Sequence, residues 1–139
     1  MAVQLAPYLS FVGRTREALE FYQSVLGGEV TISTFGDFGG TDPETADLVM
    51  HGTLRGPVEF FAADDTTLDA VESFDGVSMA IFGDAGDLDT IKGWYDALGE
   101  GGTVLVPFDQ QVWGDAFGGV KDRYGVPWWF NVAAAPAAS

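Results

Sequence analysis

The sequence predicts an α+β protein made of two β-α-β-β-β modules, and three observations carry that prediction. Short apolar runs bounded by Gly, Pro and Asp recur along the chain as strands. Two segments carry apolar residues at helical spacing. The order of these pieces then repeats once, roughly 72 residues later, so that one supersecondary unit occurs twice.

In the first copy, Gln4 to Phe11 reads as a strand ending at Gly13. Thr15 is placed to cap a helix whose stripe is Ala18, Leu19, Tyr22, Val25 and Leu26, and Gly27-Gly28 ends it. Val30 to Phe35 is the next strand, and Gly36 to Ala46 is a loop rich in Gly, Asp, Thr and Pro. Leu48 to Leu54 and Val58 to Ala63 form a hairpin turned at Arg55-Gly56, where glycine supplies positive φ. An acidic connector, Asp64 to Gly76, follows.

The second copy opens with the strand Val77 to Phe82. Asp87 caps a helix with Leu88, Ile91, Tyr95 and Leu98 on its apolar face. Three strands complete the copy: Thr103 to Phe108, Trp113 to Val120, and Val126 to Ala133. A small-residue tail, Ala134 to Ser139, is expected to fray. The order Phe11-Val12-Gly13, Phe21-Tyr22, Leu26-Gly27-Gly28 is matched by Phe82-Gly83-Asp84, Trp94-Tyr95, Leu98 with Gly101-Gly102. The expected organisation is one domain over 1–139, with module one at about 4–63 and module two at about 77–133.

Charge narrows the function classes. Six Lys plus Arg against 21 Asp plus Glu give a net charge of -15, which repels phosphate backbones and anionic membrane surfaces. No nucleic acid and no membrane is expected as a partner, and the N-terminus lacks the basic and apolar regions of a secretory signal. A cytoplasmic protein is the expectation. The absence of Cys removes disulfides, thiolate nucleophiles and sulfur ligands to metals. Ser10, Ser24 and Ser33 lie in no Gly-x-Ser-x-Gly elbow, and Gly36 to Gly40 lacks the Lys-Ser/Thr of a phosphate loop.

Two stretches make a family legible. Pro7-Tyr8-Leu9-Ser10-Phe11, Ala18-Leu19-Glu20-Phe21-Tyr22 and Leu26-Gly27-Gly28 resemble the opening of the PhnB-like branch of the vicinal oxygen chelate superfamily, which includes glyoxalase I, extradiol dioxygenases and bleomycin-resistance proteins. Trp113-Gly114, Phe117-Gly118, Val120, Asp122, Tyr124-Gly125-Val126-Pro127-Trp128 and Asn131-Val132 are similar to that branch's closing signature. The resemblance implies mixed sheets curled around a shared cavity, helices outside, a small-molecule ligand and a homodimer. Some members are described as demethylubiquinone methyltransferases, but the sequence shows no glycine loop opening a parallel nucleotide-binding sheet.

In metal-using members, inward positions on the first and fourth strands of each module supply His, Glu or Gln ligands. The resemblance places those positions at Pro7, Phe60, Val77 and Trp129, none of which carries a donor side chain. No metal or other cofactor is therefore expected, unless a divalent ion uses an atypical site around His51. The two-residue turn at Arg55-Gly56 sets His51 opposite Phe60 and so on the cavity face, with Asp64 as a conceivable partner. Alternation adds Leu9, Phe11, Ala62, Met79, Ile81, Trp129 and Asn131, and Trp113 borders the mouth.

The expected ligand pocket is thus His51, Phe60, Phe11, Met79, Trp113, Trp129 and Asn131, aromatic and apolar with one imidazole and one amide. Three functions fit: a metal-free binder of a small hydrophobic or aromatic molecule, a lyase, isomerase or dioxygenase-like enzyme with His51 as its base, or a structural domain whose cavity is filled.

Overall fold

The computed structural model describes residues 3–71 and 73–135. The chain divides into two compact units, Met1–Glu72 and Ser73–Ser139. The first runs β1 (Tyr8–Phe11), α1 (Thr15–Leu26), β2 (Glu29–Thr34), β3 (Val49–Arg55) and β4 (Phe60–Asp64). The second runs β5 (Met79–Gly83), α2 (Leu88–Gly99), β6 (Thr103–Gln110), β7 (Ala116–Lys121) and β8 (Pro127–Val132). Strand order is β1-β4-β3-β2 in one sheet and β5-β8-β7-β6 in the other. In each, the outermost pair, β1 with β4 or β5 with β8, is parallel and the rest is antiparallel. The duplicated β-α-β-β-β unit is therefore present twice as a mixed four-stranded sheet with one helix. Of the tail, residues 136–139 lie outside the described residues.

Each helix covers one face of its own sheet. In the first unit Ala18, Leu19, Tyr22 and Leu26 are buried along α1. A Cβ on Gly52 would stand 2.5 Å from Leu19 Cδ1, so β3 is bare where the helix presses closest. Tyr22 meets Phe60 edge-on at 5.5 Å between ring centres. In the second unit Tyr95 meets Phe130 edge-on at 5.7 Å, and Ile91 lies against Gly83. Each such buried large side chain contributes roughly 1.5–3 kcal/mol of apolar burial.

Several expected details are corrected. Strand β1 begins at Tyr8, not Gln4, although Pro7 still accepts a hydrogen bond from Phe61 at 2.9 Å. Thr15 does not cap α1 by accepting a helix amide. It is wholly buried, and both its amide and its hydroxyl donate to Asp64 Oδ1, at 3.2 and 2.8 Å. Asp64 Oδ2 accepts the Val49 amide at 2.9 Å. A carboxylate at the end of β4 thus sits at the positive end of α1. Asp87 makes no side-chain cap on α2; it closes a capping box with Asp84 on the short 3-10 turn Ala85–Asp87 that leads into the helix, its Oδ2 accepting the Asp84 amide at 2.9 Å.

The hairpin between β3 and β4 differs most. The register is Leu54 opposite Phe60, Thr53 opposite Phe61 and Gly52 opposite Ala62. The predicted turn set Leu54 opposite Pro57, so the register moves by three residues. Pro57 has no amide to give to a ladder, which disfavours it inside the pairing. Gly56 is also pressed against Gly28, where an added Cβ would stand 2.6 Å from its Cα. An odd shift exchanges the two faces of a strand.

Candidate functional site

That exchange redraws the candidate site. Phe60 and Ala62 share a face with Gly52 and face α1, as do Leu9 and Phe11 on the neighbouring strand. Asp64 lies on the same helix-facing side, committed to Thr15 and Val49, so it does not partner His51. On the opposite side the structure gathers Tyr8, His51 and Phe61. Ring centres are 5.5 Å apart for His51 and Phe61, 6.0 Å for Tyr8 and His51, and 6.3 Å for Tyr8 and Phe61. His51 therefore shares its face with Phe61 rather than Phe60.

The second unit repeats the arrangement. Met79 and Ile81 have the parity of Gly83 and turn toward α2, whereas Trp129 and Asn131 turn away from it. Met79 pairs with Trp128, not Trp129, which is why the expected grouping of Met79 with Trp129 separates. Trp129 stacks on Phe117, with ring centres 5.7 Å apart and planes 11° from parallel. Trp113 tilts against Phe117 at 6.3 Å. It lies in a turn between β6 and β7, closed by the Gly114 amide on the Gln111 carbonyl at 2.9 Å, and is 61% exposed rather than held in a strand. Asn131 donates to Asp115 Oδ2 at 3.2 Å, while Asp115 Oδ1 accepts the Ala134 amide at 3.0 Å.

Gly119 is what lets Trp129 lie flat. A Cβ there would stand 2.3 Å from the indole ring. Any side chain at 119 must lift the indole off the strand and out of its stack on Phe117. Thr53 pairs with Phe61 as Gly119 pairs with Trp129, so His51 and Phe117 hold equivalent places in the two units. One unit presents Tyr8, His51 and Phe61 there, the other Trp113, Phe117 and Trp129.

Among the described residues, two hollows border these groups and a cleft lies apart from them. One of about 360 Å³ is lined by Trp129, Pro127, Lys121, Asp75, Val77 and Leu105. One of about 350 Å³ lies between Phe61, Glu59 and residues Gln4 to Ala6. A cleft of about 560 Å³ is lined by Leu88, Lys92, Phe108, Ala116 and Val132, beside α2 and away from the stacked rings. In the first hollow Lys121 Nζ contacts Asp75 Oδ1 at 2.8 Å. The hydrogen bond from Lys121, and then that with Ser73, holds the Asp75 carboxyl below the ordinary carboxylate range.

A resident divalent ion does not fit these residues. Pro7 and Val77 precede their strands, Phe60 faces α1, and Trp129 carries no metal donor. Among the described residues no three His, Cys, Asp or Glu side chains converge as a metal would require. Among the described residues, the neighbours of His51 include the rings of Tyr8 and Phe61 and, on β2, its paired residue Ser33. Sequence reasoning missed Tyr8, Phe61, Phe117, Gly119 and Lys121. The consecutive glycines 118 and 119 were the available signal, since a strand seldom gives up two side chains unless something covers its backbone.

Among the described residues no helix is long and apolar enough to cross a membrane. The glyoxalase/bleomycin resistance protein/dioxygenase superfamily description matches residues 4–130. Protein YjdN of Escherichia coli K12 is 29% identical over 142 residues, covering 92% of this chain and 94% of that protein. The crystal structure of protein PA1353 from Pseudomonas aeruginosa is 32% identical with a TM-score of 0.82, over 96% of this chain and all of that one. A Bacillus cereus PhnB protein, described as a putative 3-demethylubiquinone-9 3-methyltransferase, is 25% identical with a TM-score of 0.73, over 94% of this chain and all of that one. With two copies of the mixed-sheet module and a match across nearly its whole length, the chain belongs to the glyoxalase/bleomycin resistance protein/dioxygenase superfamily.

Proposed function

We propose that this protein binds a small aromatic or hydrophobic molecule, without a resident metal, on the sheet faces turned away from its helices. The observation that carries this is the Trp129–Phe117 stack laid over Gly119. An indole that lines a hollow and is held by its stack offers apolar surface that loses little rotamer freedom on binding. Trp113 stands exposed beside it, and Asn131, tied to Asp115, supplies a fixed polar group. On the first unit the ring of His51, set beside Tyr8 and Phe61, has one nitrogen that can accept and one that can donate a hydrogen bond to a ligand.

Titration calorimetry of the intact chain with 2-naphthalenemethanol tests the reading. Saturable binding is expected, weakened about tenfold or more in Trp129→Ala, as loss of one aromatic contact implies. Gly119→Ala is expected to weaken it as well, with Tm measured alongside to separate folding from binding. Absence of saturable binding, or equal affinity in all three proteins, overturns the proposal. A second reading, an enzyme with His51 as general base, is favoured by an imidazole set against two aromatic rings on the sheet face turned away from α1. A turnover abolished by His51→Ala with binding retained would select it.

A further inference from the structure

The hollow beside Trp129 holds the feature that separates ligand classes. Lys121 lies on β7 two residues from Gly119, on the same face as Pro127 and Trp129, and lines that hollow with them. The chain has only six Lys and Arg against 21 Asp and Glu, so a cation at an aromatic pocket is a scarce placement. The side chains of Arg14, Arg55 and Lys92 are paired with Glu17, Glu59 and Asp96 at 52%, 63% and 55% exposure. Lys121 is at 35% exposure, the least of these paired cations. Its partner Asp75 is 67% exposed, next to Gly76 with φ at 97°, in the loop before β5. A pair of this kind is worth roughly 0–1 kcal/mol, so Asp75 can be exchanged for another anion at little cost.

We propose that this pocket takes an aromatic carboxylate, its ring against Trp129 and its carboxylate in place of Asp75 on Lys121. The proposal rests on the aromatic-binding reading above and adds the charge of the ligand. An ammonium has three donors and serves a monodentate or bidentate carboxylate equally well. A cationic ligand would meet Lys121 as a like charge, and Asp75 already has its charge compensated. The apolar walls Val77, Leu105 and Pro127 suit the ring, not a second charge. The protein's overall acidity slows the approach of an anion but does not alter the local exchange of one carboxylate for another.

Calorimetry at low ionic strength with 2-naphthoate, 2-naphthalenemethanol and 2-naphthylmethylamine tests this on the full chain. Naphthoate is expected to bind more tightly than the alcohol by up to about fivefold, the ratio a ~1 kcal/mol ion pair would give if displacing the exposed Asp75 cost nothing. Lys121→Met keeps the aliphatic stem and is expected to remove that difference. Asp75→Asn, which frees Lys121, is expected to tighten naphthoate further without a parallel change for the alcohol. Equal affinity for the three probes, or preference for the amine, overturns the carboxylate assignment and leaves the aromatic-binding reading in place. Failure of every probe to bind overturns both.

Discussion

Replacing Asp64 with alanine is expected to destabilise the first unit by about 3 kcal/mol, the summed cost of leaving buried donors without an acceptor. Three donors converge on this carboxylate: the Thr15 amide, the Thr15 hydroxyl and the Val49 amide. Thr15 is wholly buried, so water cannot take the place of the lost oxygen atoms. The start of α1 also loses the negative charge facing its positive end. Asp64→Asn retains one acceptor toward Thr15 but turns an amide donor toward Val49, and its effect is expected to lie between those of wild type and alanine. Urea denaturation with hydrogen exchange at the α1 amides reads this directly. A loss below about 1 kcal/mol, the scale of one ordinary exposed bond, would sink the cap assignment.

The second large effect is expected at Asp122, in the turn joining β7 to β8. Its Oδ1 accepts the amides of Tyr124 at 2.8 Å and Val126 at 3.1 Å. Its Oδ2 accepts the indole N–H of Trp128 at 2.8 Å. Trp128 is among the largest fully buried side chains, and a buried indole N–H without a partner is costly. One carboxylate therefore fixes both the hairpin and the ring that fills the core beneath α2. Asp122→Ala is expected to cost about 3 kcal/mol and to diminish the near-ultraviolet dichroism of the tryptophans. Trp128→Phe removes one donor, so the double variant is expected to lose less than the sum of the singles. Strict additivity would show that Trp128 and Asp122 are not coupled.

The duplicated architecture was legible because its signals are local. Helical stripes such as Leu19, Tyr22 and Leu26 repeat within a few residues, and Gly27-Gly28 and Gly101-Gly102 punctuate them. Strand faces depend on register, and register here depends on contacts between distant residues. Gly56 meets Gly28 across the sheet, and no spacing rule within the β3–β4 hairpin encodes that approach. The same limit explains why His51 was grouped with Phe60 and Asp64 instead of Tyr8 and Phe61. Alternation along each strand put Met79 on one face with Trp129 and Asn131, whereas the parallel pairing of Met79 with Trp128 sets Met79 toward α2 and the other two away from it. The absence of metal donors at Phe60 and Trp129 was readable from residue type alone.

The two modules share a topology but close their helices by different means, and this has a consequence for the order of folding. Asp84 and Asp87 are three residues apart, so the 3-10 turn leading into the second helix closes within a single turn of chain. Thr15 and Asp64 are 49 residues apart, and their bond forms only after three further strands have returned beside the first. Closing that loop costs entropy before any reward from the contact. The second copy is thus expected to order from its helix outward, and the first to be locked last at its helix. The loss in Asp64→Ala is accordingly expected in the unfolding rate, with the refolding rate nearly unchanged.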